Sequence, residues 1–258
     1  MGGMASTAST DRLRRITEAV RDREQLSVAE LAELTGASEM TIRRDLEALA
    51  DQGVLERFRG GARSLLLRGE EPPFALRARE GEDVKRRIAA EVASLIADGE
   101  SVVVDSGTTC LEVARALKER RITVMPLSLH AANALTGAPH LTLLLPGGLP
   151  RPGELALTGP LTETSLAALR FDTAVIGCCG LVPTDGLTAY DLADAAVKRA
   201  AIASSRRVIA VAEAAKLTRT ALAFVAPAAT LHAVVTDTSA PEAAIEALTR
   251  EGVTVRAV

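Results

Sequence analysis

Lysine occurs at only four positions in this chain, Lys85, Lys118, Lys198 and Lys216. Two of them sit where an anionic ligand could be handled. Lys198 follows Asp194 by four residues, so on a helix the two would share a face one turn apart. Such a pair can salt-bridge at a surface, or it can orient a sugar hydroxyl and a phosphate. Lys216 follows Glu213 just beyond an apolar run at 208–211. A third element is Asp105-Ser106-Gly107-Thr108-Thr109, which lies between an apolar run at 101–104 and a helical pattern of Leu111, Ala114 and Leu117. Backbone N–H groups at that helix start, with the Ser106, Thr108 and Thr109 hydroxyls, suit a phosphate. Neither GxxxxGK[ST] nor GxGxxG occurs, so neither nucleotide-binding loop is present. Gly147-Gly148 follows the run at 141–145, and Gly177 and Gly180 flank Cys178-Cys179 after the run at 173–176. Glycine at a strand end permits close backbone approach to a ligand.

Arginines near the N-terminus suggest different chemistry. Leu13, Ile16 and Val20 share one face of a first helix. Ser27-Val28-Ala29-Glu30 is a capping box opening a second helix, which buries Val28, Leu31 and Leu34 and ends at Gly36 in a left-handed turn. Ser38 caps a third helix with Ile42, Leu46 and Leu49 on its buried face. Met40, Arg43, Arg44 and Glu47 point outward, with Thr41 on a flank. Two helices joined by a short Gly-containing turn make a helix-turn-helix. Beyond it, residues 53–63 read as a strand, a Gly60-Gly61 turn and a return strand, a β-hairpin wing carrying Arg57, Arg59 and Arg63. Arginines on a third helix and a wing suit DNA phosphates and groove edges.

The elements that must position these residues fall into two regimes. Residues 10–63 are helical and charge-rich, and form an α+β winged helix-turn-helix domain. Residues 64–83, with Glu70, Glu71, Pro72 and Pro73, read as a linker. From 84 to 258, apolar runs at 101–104, 122–125, 141–145, 173–176, 208–211, 233–235 and 253–255 alternate with helical patterns. One such pattern is Ile88, Val92, Leu95 and Ile96, with Asp83 as its expected cap. That alternation predicts an α/β domain with a mostly parallel sheet, whose ligands bind at the carboxyl ends of the strands.

Composition bounds the function. With 48% hydrophobic residues and a net charge of −3, the 258-residue chain is neither disordered nor a polybasic nucleic-acid coat. Net charge averages over the whole chain, so it leaves room for a local DNA-binding module. Aromatics at 2% argue against readers that stack single-stranded bases. No apolar stretch reaches membrane-spanning length, and the N-terminus lacks a signal peptide pattern, so a cytoplasmic protein is expected. Cys110, Cys178 and Cys179 have no disulfide or metal-ligand spacing, and no cofactor or metal is expected. They read as small packing residues in preference to redox sensors.

Ser38-Glu39-Met40-Thr41-Ile42-Arg43-Arg44-Asp45-Leu46, with Gly53-Val54-Leu55, Arg57 and Gly60-Gly61-Ala62, resembles the signature of DeoR-family bacterial transcription regulators. The resemblance continues through Glu71-Pro72-Pro73-Phe74, Arg77, Lys85 and Ile88-Ala89, then Asp105–Thr109, Gly147-Gly148, Gly159, Gly177, Gly180, Gly186-Leu187-Thr188, Val197-Lys198-Arg199 and Thr236-Asp237. It covers residues 12 to about 240. It implies a sensor domain resembling sugar-phosphate isomerases, a phosphorylated sugar or similar metabolite as effector, and a double-stranded DNA operator bound by a homodimer or higher homo-oligomer. DNA contacts are then expected from Ser38, Met40, Thr41, Arg43, Arg44, Arg57 and Arg59. Effector contacts are expected from Asp105, Ser106, Gly107, Thr108, Thr109, Gly147, Gly148, Gly177, Gly180, Asp194, Lys198, Glu213 and Lys216.

The sequence departs from the family pattern at four places. Arg59 replaces the usual His. Pro126-Leu127-Ser128 replaces Thr-Asn-Ser, Glu213-Ala214-Ala215-Lys216 replaces Asp-x-Ser-Lys, and Asp194 replaces a Glu. No catalytic residue is expected. Isomerisation needs a carboxylate base, and Gly177-Cys178-Cys179-Gly180 supplies none where the isomerases carry one. Two alternatives stay open: an isomerase-like enzyme with a DNA-binding module, and a regulator whose second domain only oligomerises.

Overall fold

The computed structural model describes residues 3–51, 54–65 and 72–258. Gly53 of the expected wing and Glu70 and Glu71 of the expected linker lie outside the described residues. The chain divides into two compact units, residues 1–80 and 81–258.

The first unit runs α1 (Gly3–Arg23), β1 (Gln25–Ser27), α2 (Val28–Thr35), α3 (Glu39–Asp51), β2 (Leu55–Phe58), β3 (Gly61–Ser64) and α4 (Phe74–Arg79). The capping box forms as read: Ser27 Oγ accepts from Glu30 N–H at 3.2 Å, and Glu30 Oε2 accepts from Ser27 N–H at 2.8 Å. Gly36 ends α2 at φ 71°. Ser38 Oγ accepts from Thr41 N–H at 3.2 Å and so caps α3. Ile16 and Val20 of α1 pack with Leu31, Ile42, Leu46, Leu49 and Leu55, whereas Leu34 is only half-buried. The hairpin turn falls one residue earlier than expected. Phe58 pairs with Gly61 across the hairpin, so the turn residues are Arg59 and Gly60. Gly61 instead opens β3, where a Cβ would stand 2.3 Å from Leu26 O. That close approach lets β1 join the wing as a third strand, in the order β1-β3-β2. Helix α4 occupies part of the segment expected to be a linker. Pro73 holds its N-cap position, where a proline's missing N–H costs nothing.

The second unit opens with α5 (Glu82–Leu95), β4 (Ser101–Val104), α6 (Thr108–Leu117), β5 (Thr123–Pro126), α7 (Leu129–Leu135), β6 (Thr142–Leu143), β7 (Leu149–Pro150), β8 (Leu157–Thr158) and α8 (Pro160–Ala167). It continues with β9 (Phe171–Gly177), β10 (Gly180–Val182), β11 (Gly186–Ala189), α9 (Leu192–Ala203), β12 (Ser205–Val211), β13 (Ala223–Ala226), β14 (Ala233–Thr236), α10 (Glu242–Arg250) and β15 (Thr254–Ala257). Helix α5 starts before the expected cap: Gly81 is its N-cap, and Asp83 lies in its first turn, where a carboxylate suits the helix dipole.

Seven strands form one parallel sheet in the order β15-β14-β12-β9-β4-β5-β6. Alternate residues feed two cores. Val102, Val104, Val175, Ile209 and Val211 pack with α5, α6 and α7. Val103, Ala174, Ile176, Val208 and Ala210 pack with α8, α9, α10 and the small antiparallel sheet β10-β11-β13. A sheet covered on both faces explains why its strands read as unbroken apolar runs.

Candidate functional site

In the first unit, six arginines on or against α3 and the wing separate by their partners. Arg43 reaches Glu39 at 3.0 Å one helical turn away, and Arg57 lies 3.7 Å from Glu47. Arg63 pairs with Glu56 directly across the hairpin, with Nε to Oε2 at 2.8 Å. That contact corrects the reading of a wing with three available cations, because Glu56 neutralises one of them. Arg12 on α1 holds the Asp45 carboxylate through Nε at 2.5 Å and NH2 at 3.2 Å, tying α1 to α3. Arg44 and Arg59 are exposed and have no partner among the described residues. Ser38 is occupied as the cap, and its Oγ also lies 2.9 Å from Thr41 Oγ1. Met40 projects into solvent from the first turn of α3.

In the second unit, the parallel sheet gathers residues far apart in sequence. Asp105 leaves the end of β4, and its Oδ2 accepts from Gly177 N–H at the end of β9 at 2.9 Å. Helix α9 is capped by Asp191, which accepts from Asp194 N–H at 2.8 Å. The helix carries Asp194 and Lys198 on one face. Lys198 Nζ donates to Asp105 Oδ2 and lies 3.3 Å from Asp194 Oδ2. Ser106 Oγ donates to Asp194 Oδ1 at 3.3 Å. Asp105 and Lys198 are 1% and 3% exposed, so this is an interior ionic cluster at the carboxyl ends of the strands.

One ammonium therefore faces two carboxylates. Burial works against the charged lysine, but Asp105 and Asp194 outweigh it and hold its pKa well above the ordinary value. Burial also raises the Asp105 pKa, with Asp194 adding to the rise and Lys198 opposing it. The lysine stays charged, because its ammonium has two counterions while the carboxylates share one. Burial likewise pushes the Cys110 thiol well up, so it is not a poised thiolate.

The remaining expected residues divide. Gly107, at φ 98°, is the N-cap of α6 without a side-chain cap, and Thr108 and Thr109 form the first turn beyond it, next to Ser106 in the chain. Gly148 lacks a side chain for a packing reason: a Cβ there would stand 2.0 Å from Thr162 Oγ1 on α8. Thr162 also donates to Gly147 O at 2.9 Å. Gly180 is similar, since a Cβ would stand 2.1 Å from Arg219 O. Glu213 turns toward α5, where Lys85 Nζ lies 3.7 Å away, and Lys216 ends a short 3-10 turn. The structure thus joins Asp105, Ser106, Gly177, Asp194 and Lys198 in one cluster. It accounts for Gly148 and Gly180 by packing and for Glu213 by its contact with Lys85.

Sequence reasoning missed two charged partners, Asp45 and Lys85. Both are apolar-face positions filled by charged residues, Lys85 three residues before Ile88 and Asp45 three after Ile42. That spacing is the signal that could have found them. A groove of about 400 Å³ between α6 and α7, lined by Arg115, His130 and Leu155 among others, contains none of the expected effector residues. Among the described residues no helix is long and apolar enough to cross a membrane.

Comparison with known proteins is consistent across both units. The family model described as the DeoR-like helix-turn-helix domain matches residues 12–66, and that of the DeoR C terminal sensor domain matches residues 80–238. The transcriptional repressor AccR of Agrobacterium fabrum is 33% identical over 236 residues, 91% of this chain and 92% of that protein. The glycerol-3-phosphate regulon repressor of Escherichia coli is 32% identical over 241 residues, 93% of this chain and 95% of that protein. Among solved structures, ribose 5-phosphate isomerase A from Methanocaldococcus jannaschii overlaps 53% of this chain and 55% of its own, at a TM-score of 0.40 and 17% identity. With both family models matched in order and relatives similar over nearly their whole length, the chain belongs to the DeoR family of transcriptional regulators.

Proposed function

We propose that this chain is a repressor that binds duplex operator DNA through its first unit and a phosphorylated sugar or similar metabolite through its second. The observation that carries the proposal is the pair of unpartnered cations, Arg44 on α3 and Arg59 at the wing turn, on the two elements a winged fold presents to DNA. A homodimer or higher oligomer would read half-sites spaced by whole turns of the duplex. Counterion release makes the affinity fall steeply with salt. Fluorescence anisotropy on DNA from the gene's own upstream region, against random duplex over a salt series, tests the claim. Equal affinity for both duplexes would sink it.

The Asp105–Asp194–Lys198 cluster supports the effector half. Carboxylates, an ammonium and the Ser106 hydroxyl are groups that exchange hydrogen bonds with sugar hydroxyls, and the start of α6 beside them is suited to a phosphate. The effector controls DNA binding only through its different affinity for two arrangements of the protein. Thermal-shift screening of sugar phosphates tests this, with Thr109→Val at the α6 start expected to weaken the response. If no sugar phosphate raises the midpoint, a second unit that only oligomerises becomes the better account. We read the protein as a non-enzyme, because both cluster carboxylates are engaged with Lys198 and neither is left as a ready base. Turnover in a coupled isomerase assay would overturn that.

A further inference from the structure

We infer that Met40 determines part of the DNA sequence recognised, by contact with the methyl group of a thymine in the major groove. The inference rests on the DNA-binding proposal above and adds to it the base and the atom read.

The first unit exposes three large apolar side chains among its described residues: Met40, Phe58 and Leu65. Two of them belong to the wing, one lying over its turn and one at its base. The Phe58 ring lies over the hairpin turn, its Cζ only 2.7 Å from where a Cβ on Gly61 would stand. Leu65 continues from the end of β3 and donates its N–H to Val54 O at the base of the wing. Met40 is the most exposed of the three at 67%, and no packing within the unit accounts for it.

Its place on α3 gives it a use. It is the second residue of the helix, in the turn whose side chains reach base edges when such a helix lies in the major groove. Its neighbours are occupied. Glu39 holds Arg43, and Thr41 shares its hydroxyl contact with Ser38. What this turn offers to a base edge is therefore a long, polarizable, apolar side chain. The apolar feature of the major groove is the thymine methyl group, so that is the group Met40 fits. Arg44 stands one turn further along the same face, exposed and without a partner among the described residues. Four residues of helix advance about 6 Å and one base step about 3.4 Å. The thymine read by Met40 should therefore lie within two base steps of the nucleotide that Arg44 contacts.

The test removes the methyl group alone. Preferred duplexes are selected from a random pool with the full chain, and each thymine in turn is replaced by deoxyuridine. At one thymine per half-site, the replacement should weaken wild-type binding about fourfold, the worth of burying one methyl group. Met40→Ala should bind the thymine and deoxyuridine duplexes alike. Because the side chain lies in solvent, the variant should keep the wild-type unfolding midpoint. Tolerance of deoxyuridine at every thymine would overturn the inference, and so would an undiminished penalty in Met40→Ala. Recovery of no preferred sequence would instead remove the DNA-reading proposal, and the inference with it.

Discussion

The two units differ in their most buried ionic contacts, although both carry exposed ion pairs, such as Arg43–Glu39 in the first and Arg86–Glu82 in the second. In the first, arginines and glutamates meet at the surface, mostly as exposed pairs such as Arg43–Glu39 and Arg63–Glu56. Exposed pairs contribute little to stability, so that surface can be tuned for a polyanion without risk to the fold. In the second, Asp105, Asp194 and Lys198 are shut inside, where each charge needs its partners. Oppositely charged pairs therefore serve different ends in the two units. A substitution on the wing should change binding alone, whereas one in the cluster should change folding first.

The largest effect follows from Lys198→Met. The variant leaves two buried carboxylates without a cation, and breaking a buried pair in this way costs about 3–5 kcal/mol. Chemical denaturation of the full chain, followed by far-UV circular dichroism, should show that loss in the unfolding of the second unit. A loss below about 1 kcal/mol would mean that water reaches the cluster and that the contrast between the units is overstated.

Asp45→Asn comes next and probes the contrast from the other side. Asp45 is the acidic residue of α3 that faces inward, and Arg12 grips it with two N–H groups. Hydrogen bonds to a charged group contribute about 1.5–3 kcal/mol, so the first unit should lose stability in that range. The midpoint of thermal unfolding reports it. An unchanged midpoint would show that the first unit has no ionic contact that matters to its fold.

Much of this was legible in the sequence, and the parts that were not share a cause. All seven apolar runs became strands of the one parallel sheet, because strands buried on both faces leave no polar alternation to confuse the pattern. Among the strands outside that pattern, β10 and β11 are short and open on Gly180 and Gly186, a residue type that reads as loop. Helix α4 was hidden behind Pro72-Pro73, since prolines that end one element can also start another. The Asp194–Lys198 pair was visible from its four-residue spacing. Its meeting with Asp105, 93 residues away, is set by strand order alone, and no local spacing encodes that. Gly148 and Gly180 admit two readings for a related reason. A glycine beside a ligand and a glycine beside a neighbouring backbone look alike until the neighbour is known.

Among the wing and α3 arginines, Arg44→Ala and Arg59→Ala should each weaken operator binding by about 1–3 kcal/mol and lower the salt slope by about one for each phosphate no longer neutralised. Their unfolding midpoints should match wild type. If either variant unfolds earlier, its arginine has a structural role in the fold.

The smallest effect sharpens the comparison most, because it turns on a single carboxylate. Arg63 is held by Glu56, its direct cross-strand partner, and the two side chains are 60% and 49% exposed. Removing Arg63 should cost the fold no more than about 0.5–1 kcal/mol. Removing Glu56 is more telling. Glu56→Gln deletes a negative charge from a surface meant for a polyanion and frees the guanidinium that the charge had occupied. Operator binding should then tighten a few-fold, with a steeper salt dependence, while stability stays level. Arg63→Ala should weaken binding modestly, because Glu56 is then left uncompensated, and the double variant should fall between the two. If Glu56→Gln leaves affinity and salt slope unchanged, then the ion pair is not what withholds Arg63. The division of this surface into held and free arginines would then have to be drawn by position on the wing instead of by partner.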